Sequence, residues 1–344
     1  MITAYFRAEN QILELTVEAA DALPENLCWL DLDEPSDLER ASVSEKLGIE
    51  VPSQAEMREI EVSSRLYVEG NVIHLTTSLL VGADSPEPEL AELTIIITPK
   101  YLVVVRFAAP KSVAIFTARA KRNPALVADV NHAALTLLDA IADRTADTLE
   151  MTGRQVNVLS RQVFPSPTAL SNLSVRRRRW WHRRASEAHE SAPQAPLKDL
   201  LYGVGRTGDM LHRSYHSING MIRMTAFLGH VMAGRLSPEQ MVLMQTLQSD
   251  LKSLHDHADF MIQETTFLLD AVLGQINGEQ NDIFRFLMMS STLFLPASLL
   301  AGIYGMNMPG VPGMETHWVV WVVFGVMVLS AIGSLVYFKR RGWW

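Results

Sequence analysis

The sequence predicts an α/β cytosolic domain followed by long α-helices and a two-helix transmembrane hairpin. Three observations carry this reading. Strand-like runs are confined to residues 1–110, helical periodicity takes over from about residue 111, and two nearly uncharged apolar runs stand close to the carboxyl end. At 344 residues the chain exceeds one ordinary domain, and its 48% hydrophobic share excludes disorder, a collagen-like chain and a many-span membrane protein. Thirty Lys+Arg against 38 Asp+Glu leave a net charge of −8, which argues against whole-protein affinity for nucleic acid. Cys28 is the only cysteine, so an intrachain disulfide and a cysteine-based zinc site are both excluded.

The first twenty residues alternate apolar and polar positions without a basic stretch leading into an apolar run, so no signal peptide is expected there. TAYFRAE, QILELTV, LCWLDLD, NVIHLTTSLLV, ELTIIIT and YLVVVRF are rich in β-branched and aromatic residues and read as strands. Ser36 with Glu39, and Ser53 with Glu56, are S-x-x-E boxes that start helices by satisfying first-turn amides. A domain joint is expected near Ala109-Pro110, followed by a long-helix and stalk region over 111–282. Within it, helices are expected over roughly 124–163, 197–234 and from Ser237-Pro238 onward into the membrane, with prolines between them. The short link at 234–236 makes the last two antiparallel.

Residues 283–304 hold Arg285 as their only charge, and residues 318–338 hold none; each is long enough to span a bilayer. The loop 305–317 lacks Lys and Arg, whereas Lys339, Arg340 and Arg341 follow the second run in the tail 339–344, so both termini are expected in the cytoplasm. The basic segment RRRRWWHRR, from Arg176 to Arg184, fits a solvated hairpin tip or an anionic lipid surface; lipid is favoured over nucleic acid.

Several motifs lead nowhere chemically. Gly203, Gly205 and Gly208 match G-x-G-x-x-G, but no strand precedes them and no βαβ pattern surrounds them. His212 with His216, and His255 with Asp259, stand four residues apart on helical faces, and two ligands do not make a metal site. No nucleophile arrangement or metalloprotease motif is visible, so no enzyme activity and no catalytic cofactor are expected.

Polar and small residues recur in steps of three or four at Asp270, Gly274, Asn277, Asn281, Phe284, Leu287, Ser291, Leu295, Ser298 and Gly302. A stripe of this kind serves either as a helix-packing seam or, if several copies converge on an axis, as the lining of a pore. It runs into Tyr304-Gly305-Met306-Asn307, and YGMN closing the first of two C-terminal spans resembles the signature of the CorA family of divalent-cation transporters. LCWLDLDEPSDLE, PSQAEMREIEVSSRLY and the basic tail from Tyr337 to Trp343 are similar to the magnesium-transporting branch of that family.

The resemblance implies a homopentameric, funnel-shaped channel in a bacterial inner membrane, with Mg²⁺ as the transported and regulatory ion and Co²⁺ or Ni²⁺ as further cargo. It implies a selectivity filter of Gly305, Met306 and Asn307, with Asn307 meeting the hydrated ion. Asp270, Asn277, Asn281, Leu295, Ser298 and Gly302 become pore-lining, and Phe284 with Leu287 the hydrophobic gate. Asp250, Asp256 and Asp259 are the candidates for a regulatory metal site. The loop from Met308 to Met314 is glycine-rich and delays the first acid to Glu315, a feature closer to the zinc-transporting branch. A Zn²⁺ transporter, proton-coupled and using His317, therefore stands as the alternative, and a membrane-tethered scaffold as a third reading.

Overall fold

The computed structural model describes residues 1–9, 11–18, 21–24, 26–85, 87–165, 197–306 and 317–342. They divide into two units, Met1–Leu269 and Asp270–Trp344.

The first unit is built on a seven-stranded sheet of β1 (Ile2–Ala8), β2 (Gln11–Val17), β3 (Leu27–Asp33), β4 (Leu66–Glu69), β5 (Val72–Val81), β6 (Glu89–Ile97) and β7 (Leu102–Arg106). Their spatial order is β2-β1-β3-β7-β6-β5-β4, antiparallel throughout except for the central β3–β7 pair. Six of the seven strands coincide with the runs expected from the sequence. The seventh, β4, was not expected: four residues are too few for a pattern, and it exists as the partner of β5 across a two-residue turn in which Gly70 has φ +59°.

Both sheet faces are covered. On one side α1 (Asp37–Leu47) and α2 (Gln54–Met57) close over Leu30, Leu32, Ile96, Val103 and Val105. Both expected capping boxes form, with the Ser36 and Ser53 hydroxyls accepting the Glu39 and Glu56 amides and each glutamate accepting the serine amide in return. The short helix α3 (Val62–Arg65) then leads into β4.

On the other side lie α4 (Lys111–Arg122), α5 (Val130–Val163), α6 (Leu197–Val231) and the first part of α7 (Pro238–Gly305). The helix expected from about 124 starts instead at Val130. Pro124 opens a separate 3₁₀ turn, and Asp129 caps the long helix by accepting the His132 amide at 3.1 Å. The helix expected to reach 234 ends at Val231, and the chain reverses through Gly234 at φ +78°. The antiparallel α6–α7 pairing is as expected: the Gln248 amide donates to the Thr225 carbonyl at 3.1 Å, and His255 Nε2 meets the Tyr215 hydroxyl at 3.0 Å.

At the centre Trp29 is fully buried, stacked on Tyr5 at 4.2 Å and meeting Phe116 edge-on at 5.1 Å. Arg106 on β7 forks onto both Asp31 oxygens at 3.0 Å and donates to Asp33 at 2.9 Å, so the two aspartates of LCWLDLD clamp the parallel strand pair. Burial pushes the Asp31 carboxyl up, and Arg106 only partly offsets it. Burial pulls Arg106 down, but its bonds to Asp31 and Asp33 outweigh that and leave it raised. The glycine motif at 203–208 lies inside α6. A side chain at Gly203 would meet Leu159 at 3.0 Å, so that glycine eases the approach of α5, whereas one at Gly208 would make an ordinary contact with Thr265 at 3.5 Å.

Candidate ion-conduction face

The candidate site is carried by α7 and its companion α8 (His317–Arg340). A capping box starts α7: the Ser237 hydroxyl accepts the Gln240 amide at 3.2 Å, and Gln240 Oε1 accepts the Ser237 amide at 3.0 Å. From there the helix continues without interruption to Gly305, because Leu, Met, Phe and Gln dominate and Pro296 is its only internal proline. Pro296 was not singled out from the sequence. It has no amide proton, so the Thr292 carbonyl loses its usual helical donor inside the span. The Thr292 hydroxyl is itself occupied, donating to the Met288 carbonyl at 2.8 Å.

Every residue of the stripe from Asp270 to Gly302 lies on α7 in the second unit and every one is exposed, Phe284 at 61%, Leu287 at 52% and Leu295 at 69%. At 100° per residue they stay within an arc of about 140°. The half-buried positions of the span, Met289, Ser290, Leu293, Pro296, Ala297, Leu300 and Tyr304, all lie outside that arc. On α8 the half-buried Val319, Val323, Met327, Ser330, Ala331 and Ser334 share one face with the buried Phe338, while Gly325 is half-buried off it. Sequence reasoning missed this second stripe because α8 is apolar on every side, which erases the usual amphipathic signal.

The exposed face changes character along its length. Asp270, Asn277 and Asn281 offer oxygen and amide groups; Phe284 and Leu287 place bulky apolar side chains one turn apart; Ser291, Ser298 and Gly302 offer hydroxyls and bare backbone. Beside this face, outside its arc, the Arg285 and Asp282 side chains approach to 3.5 Å. At Gly305 the helix ends, so its last carbonyls and the negative pole of its dipole meet at the start of the loop. Met306 is exposed beyond it. Asn307, the rest of the loop and the basic segment from Arg176 to Arg184 lie outside the described residues.

The regulatory candidates Asp250, Asp256 and Asp259 all lie on α7 within the first unit, but they are not brought together. Gln263 donates to Asp259 at 2.8 Å, and Asp256 sits 3.3 Å from His255 Nδ1. Among the described residues no three His, Cys, Asp or Glu side chains converge as a metal-holding group. His212 lies 2.8 Å from the Gly208 carbonyl of its own helix.

The two apolar helices are each long and apolar enough to cross a membrane. The sequence matches the family described as CorA-like Mg²⁺ transporter protein over residues 24–178 and 181–340. The chain belongs to the CorA family. A curated relative, the magnesium transport protein CorA of Haemophilus influenzae, is 25% identical, and the match covers 100% of both chains. Among solved structures, the complete CorA magnesium transporter of Methanocaldococcus jannaschii superposes with a TM-score of 0.67 at 18% identity, covering 100% of this chain and 99% of that one. The ZntB cytoplasmic domain of Vibrio parahaemolyticus reaches a TM-score of 0.54 at 10% identity, over 80% of this chain and 98% of that one. At these identities the structural likenesses speak to fold alone. As a CorA-family protein the chain is a divalent-cation transporter and not an enzyme. Its soluble α/β domain, long helices and two C-terminal membrane helices are those of the family.

Proposed function

We propose that this chain forms one wall of a homopentameric pore that admits Mg²⁺, and with it Co²⁺ or Ni²⁺, to the cytoplasm of a bacterium across its plasma membrane. The observation that carries the reading is the exposed stripe on α7 from Asp270 to Gly302, which turns from polar through apolar to hydroxylated just before the GMN motif of the sequence. One helix cannot enclose a path, so such a face is useful only where copies converge on an axis. The name of the full-length relative in Haemophilus influenzae supports magnesium as the ion.

In this reading the outer ring is Asn307, flanked by Gly305 and Met306. Mg²⁺ gives up its water reluctantly, so neutral amides that hydrogen-bond the hydrated ion pass it on faster than a carboxylate cage. The α7 carboxyl ends concentrate cations at that mouth. Leu295, Ser298 and Gly302 line the path inward, Phe284 and Leu287 close it by excluding water, and Asn281, Asn277 and Asp270 receive the ion below. The basic tail at Lys339, Arg340 and Arg341 supports a topology with both termini in the cytoplasm. Each doubly charged ion then gains about 4.6 kcal/mol per 100 mV on entering. The arginines from Arg176 to Arg184 meet anionic lipid, and Mg²⁺ bound to the cytosolic helices regulates opening.

A Zn²⁺ transporter coupled to protons is the second reading, favoured by the glycine-rich loop from Met308 to Met314 and by the fold likeness to the ZntB cytoplasmic domain. Ion uptake into liposomes separates the two. Potential-driven Mg²⁺ uptake that falls at least about tenfold in Asn307→Ala, a loss of about 1.4 kcal/mol, is the expected result. Zn²⁺ uptake that follows a pH gradient instead moves the chain to the second reading, and no flux of either ion leaves a tethered scaffold.

A further inference from the structure

The cytosolic unit contains a feature that ion conduction does not use. Between the α2–α3 segment and the β4–β6 edge of the sheet lies a cavity of about 420 Å³, within the size range of small-molecule sites. Glu50, Glu56 and Glu59 line it, and no Lys or Arg does. His74 on β5 forms part of the same lining, is only 1% exposed, and has no hydrogen-bond partner on either ring nitrogen among the described residues. A buried imidazole left unpaired on both nitrogens bears an uncompensated desolvation cost, so this one is poised for a partner. Tyr67 stacks on its face at 4.5 Å, which fixes the ring plane.

Burial holds His74 below its ordinary pKa and therefore neutral, with one donor and one acceptor nitrogen. Glu56 is kept ionised by the Ser53 amide. Burial first, then Glu50, Glu69 and Glu56, push the Tyr67 phenol up to about 12, so it adds no charge at neutral pH. The cavity is thus negative and offers an acceptor nitrogen. Its acids surround the space without any three of the Asp, Glu, His or Cys groups converging on one point. Spread negative charge suits a spread positive charge better than a point ion.

We propose that this cavity binds a small elongated organic cation with N–H donors, of the alkyl diamine or guanidine class, between the carboxylates of Glu50, Glu56 and Glu59 and the imidazole of His74. The proposal stands apart from the transport reading and is read by binding alone. Titration calorimetry on the full chain in nanodiscs, with 1,4-diaminobutane as the probe, should give saturable binding at one site per chain. Glu50→Gln with Glu59→Gln should weaken it at least tenfold, as should His74→Phe, which preserves the stacking on Tyr67. A bis-quaternary analogue of equal charge but without N–H donors should bind at least tenfold more weakly than the diamine. Glu150→Gln, on α5 and outside the cavity lining, should leave binding unchanged. No saturable binding, binding indifferent to these substitutions, or Mg²⁺ rather than the diamine held by these residues each overturns the proposal.

Discussion

The two units of this chain treat apolar side chains in opposite ways. In Met1–Leu269 a core of large hydrophobics sits inside: Trp29, Leu30, Leu75, Ile95, Leu102 and Val104 are all fully buried between sheet and helices. In Asp270–Trp344, Phe286, Phe294, Leu299, Trp321 and Leu329 are all exposed, and the most apolar windows of both helices have no buried position. The core of the first unit is closed within one chain, so it supplies its own driving force for folding, although Leu38, Ile60, Phe260 and Phe267 stay exposed on its surface. The second unit meets its needs elsewhere, from lipid on one side and, in the proposed pore, from other copies on the other. The transport function is therefore assigned to the part of the molecule that one chain leaves unfinished.

The sharpest way to break this contrast is to empty the centre of the first unit. Trp29→Ala removes a side chain held by Tyr5 and Phe116 and leaves a cavity that the surrounding strands cannot close. A loss of about 3–5 kcal/mol is expected in denaturant unfolding of the full chain. A loss under about 1 kcal/mol would mean that the α/β layer is not the self-sufficient core described above.

The next largest effect is expected on the unfinished side. Leu287→Asn replaces an apolar group on the exposed α7 face with an amide that retains water. If Phe284 and Leu287 close the path by excluding water, ion flux into liposomes should rise about tenfold, equivalent to a barrier lower by about 1.4 kcal/mol. Unchanged flux would point to closure at another level of the helix.

What could be read from the sequence differs between the units for the same physical reason. Strands β5, β6 and β7 were visible because buried sheet positions demand runs such as LTIII and LVVV. The capping boxes at Ser36 and Ser53 were visible because they are local. The Arg106 clamp was not, since it joins residues 73 and 75 positions apart. Nor was the close approach of α6 to β5, where a side chain at Gly220 would come within 2.4 Å of the Thr77 hydroxyl. In the second unit the α7 stripe was legible as period and composition. Its meaning was not, because lipid-facing, copy-facing and pore-facing positions all look alike in a span that one chain leaves open. Asn307 was reached only through family resemblance and lies outside the described residues.

A smaller effect tests whether local rules hold up the first unit. Ser53→Ala removes the hydroxyl that accepts the Glu56 amide and should cost about 1 kcal/mol. The pH dependence follows from its partner. The Ser53 amide bond holds the Glu56 carboxyl below its ordinary value of 4.5, so its contribution is fully present above that value and is lost as pH falls through the depressed one. Unfolding curves of Glu56→Gln and the parent chain should therefore differ at pH 7 and converge in the acid range below about 4.5. A difference that persists there would assign the cost to packing rather than to the charge.

The smallest expected effect bears hardest on the contrast itself. Leu329 on α8 is 73% exposed, whereas Leu102 on β7 is fully buried. Truncating Leu102 to alanine should cost about 2–5 kcal/mol, because its surroundings are packed protein. Truncating Leu329 exchanges one apolar surface for another in contact with lipid, where no hydrophobic gain is at stake. The stability of the full chain in nanodiscs should then change by less than about 0.5 kcal/mol. If Leu329→Ala instead costs as much as the buried substitution, that face of α8 is packed against protein in the assembly rather than against lipid, and the second unit leaves less surface to the membrane than one chain suggests.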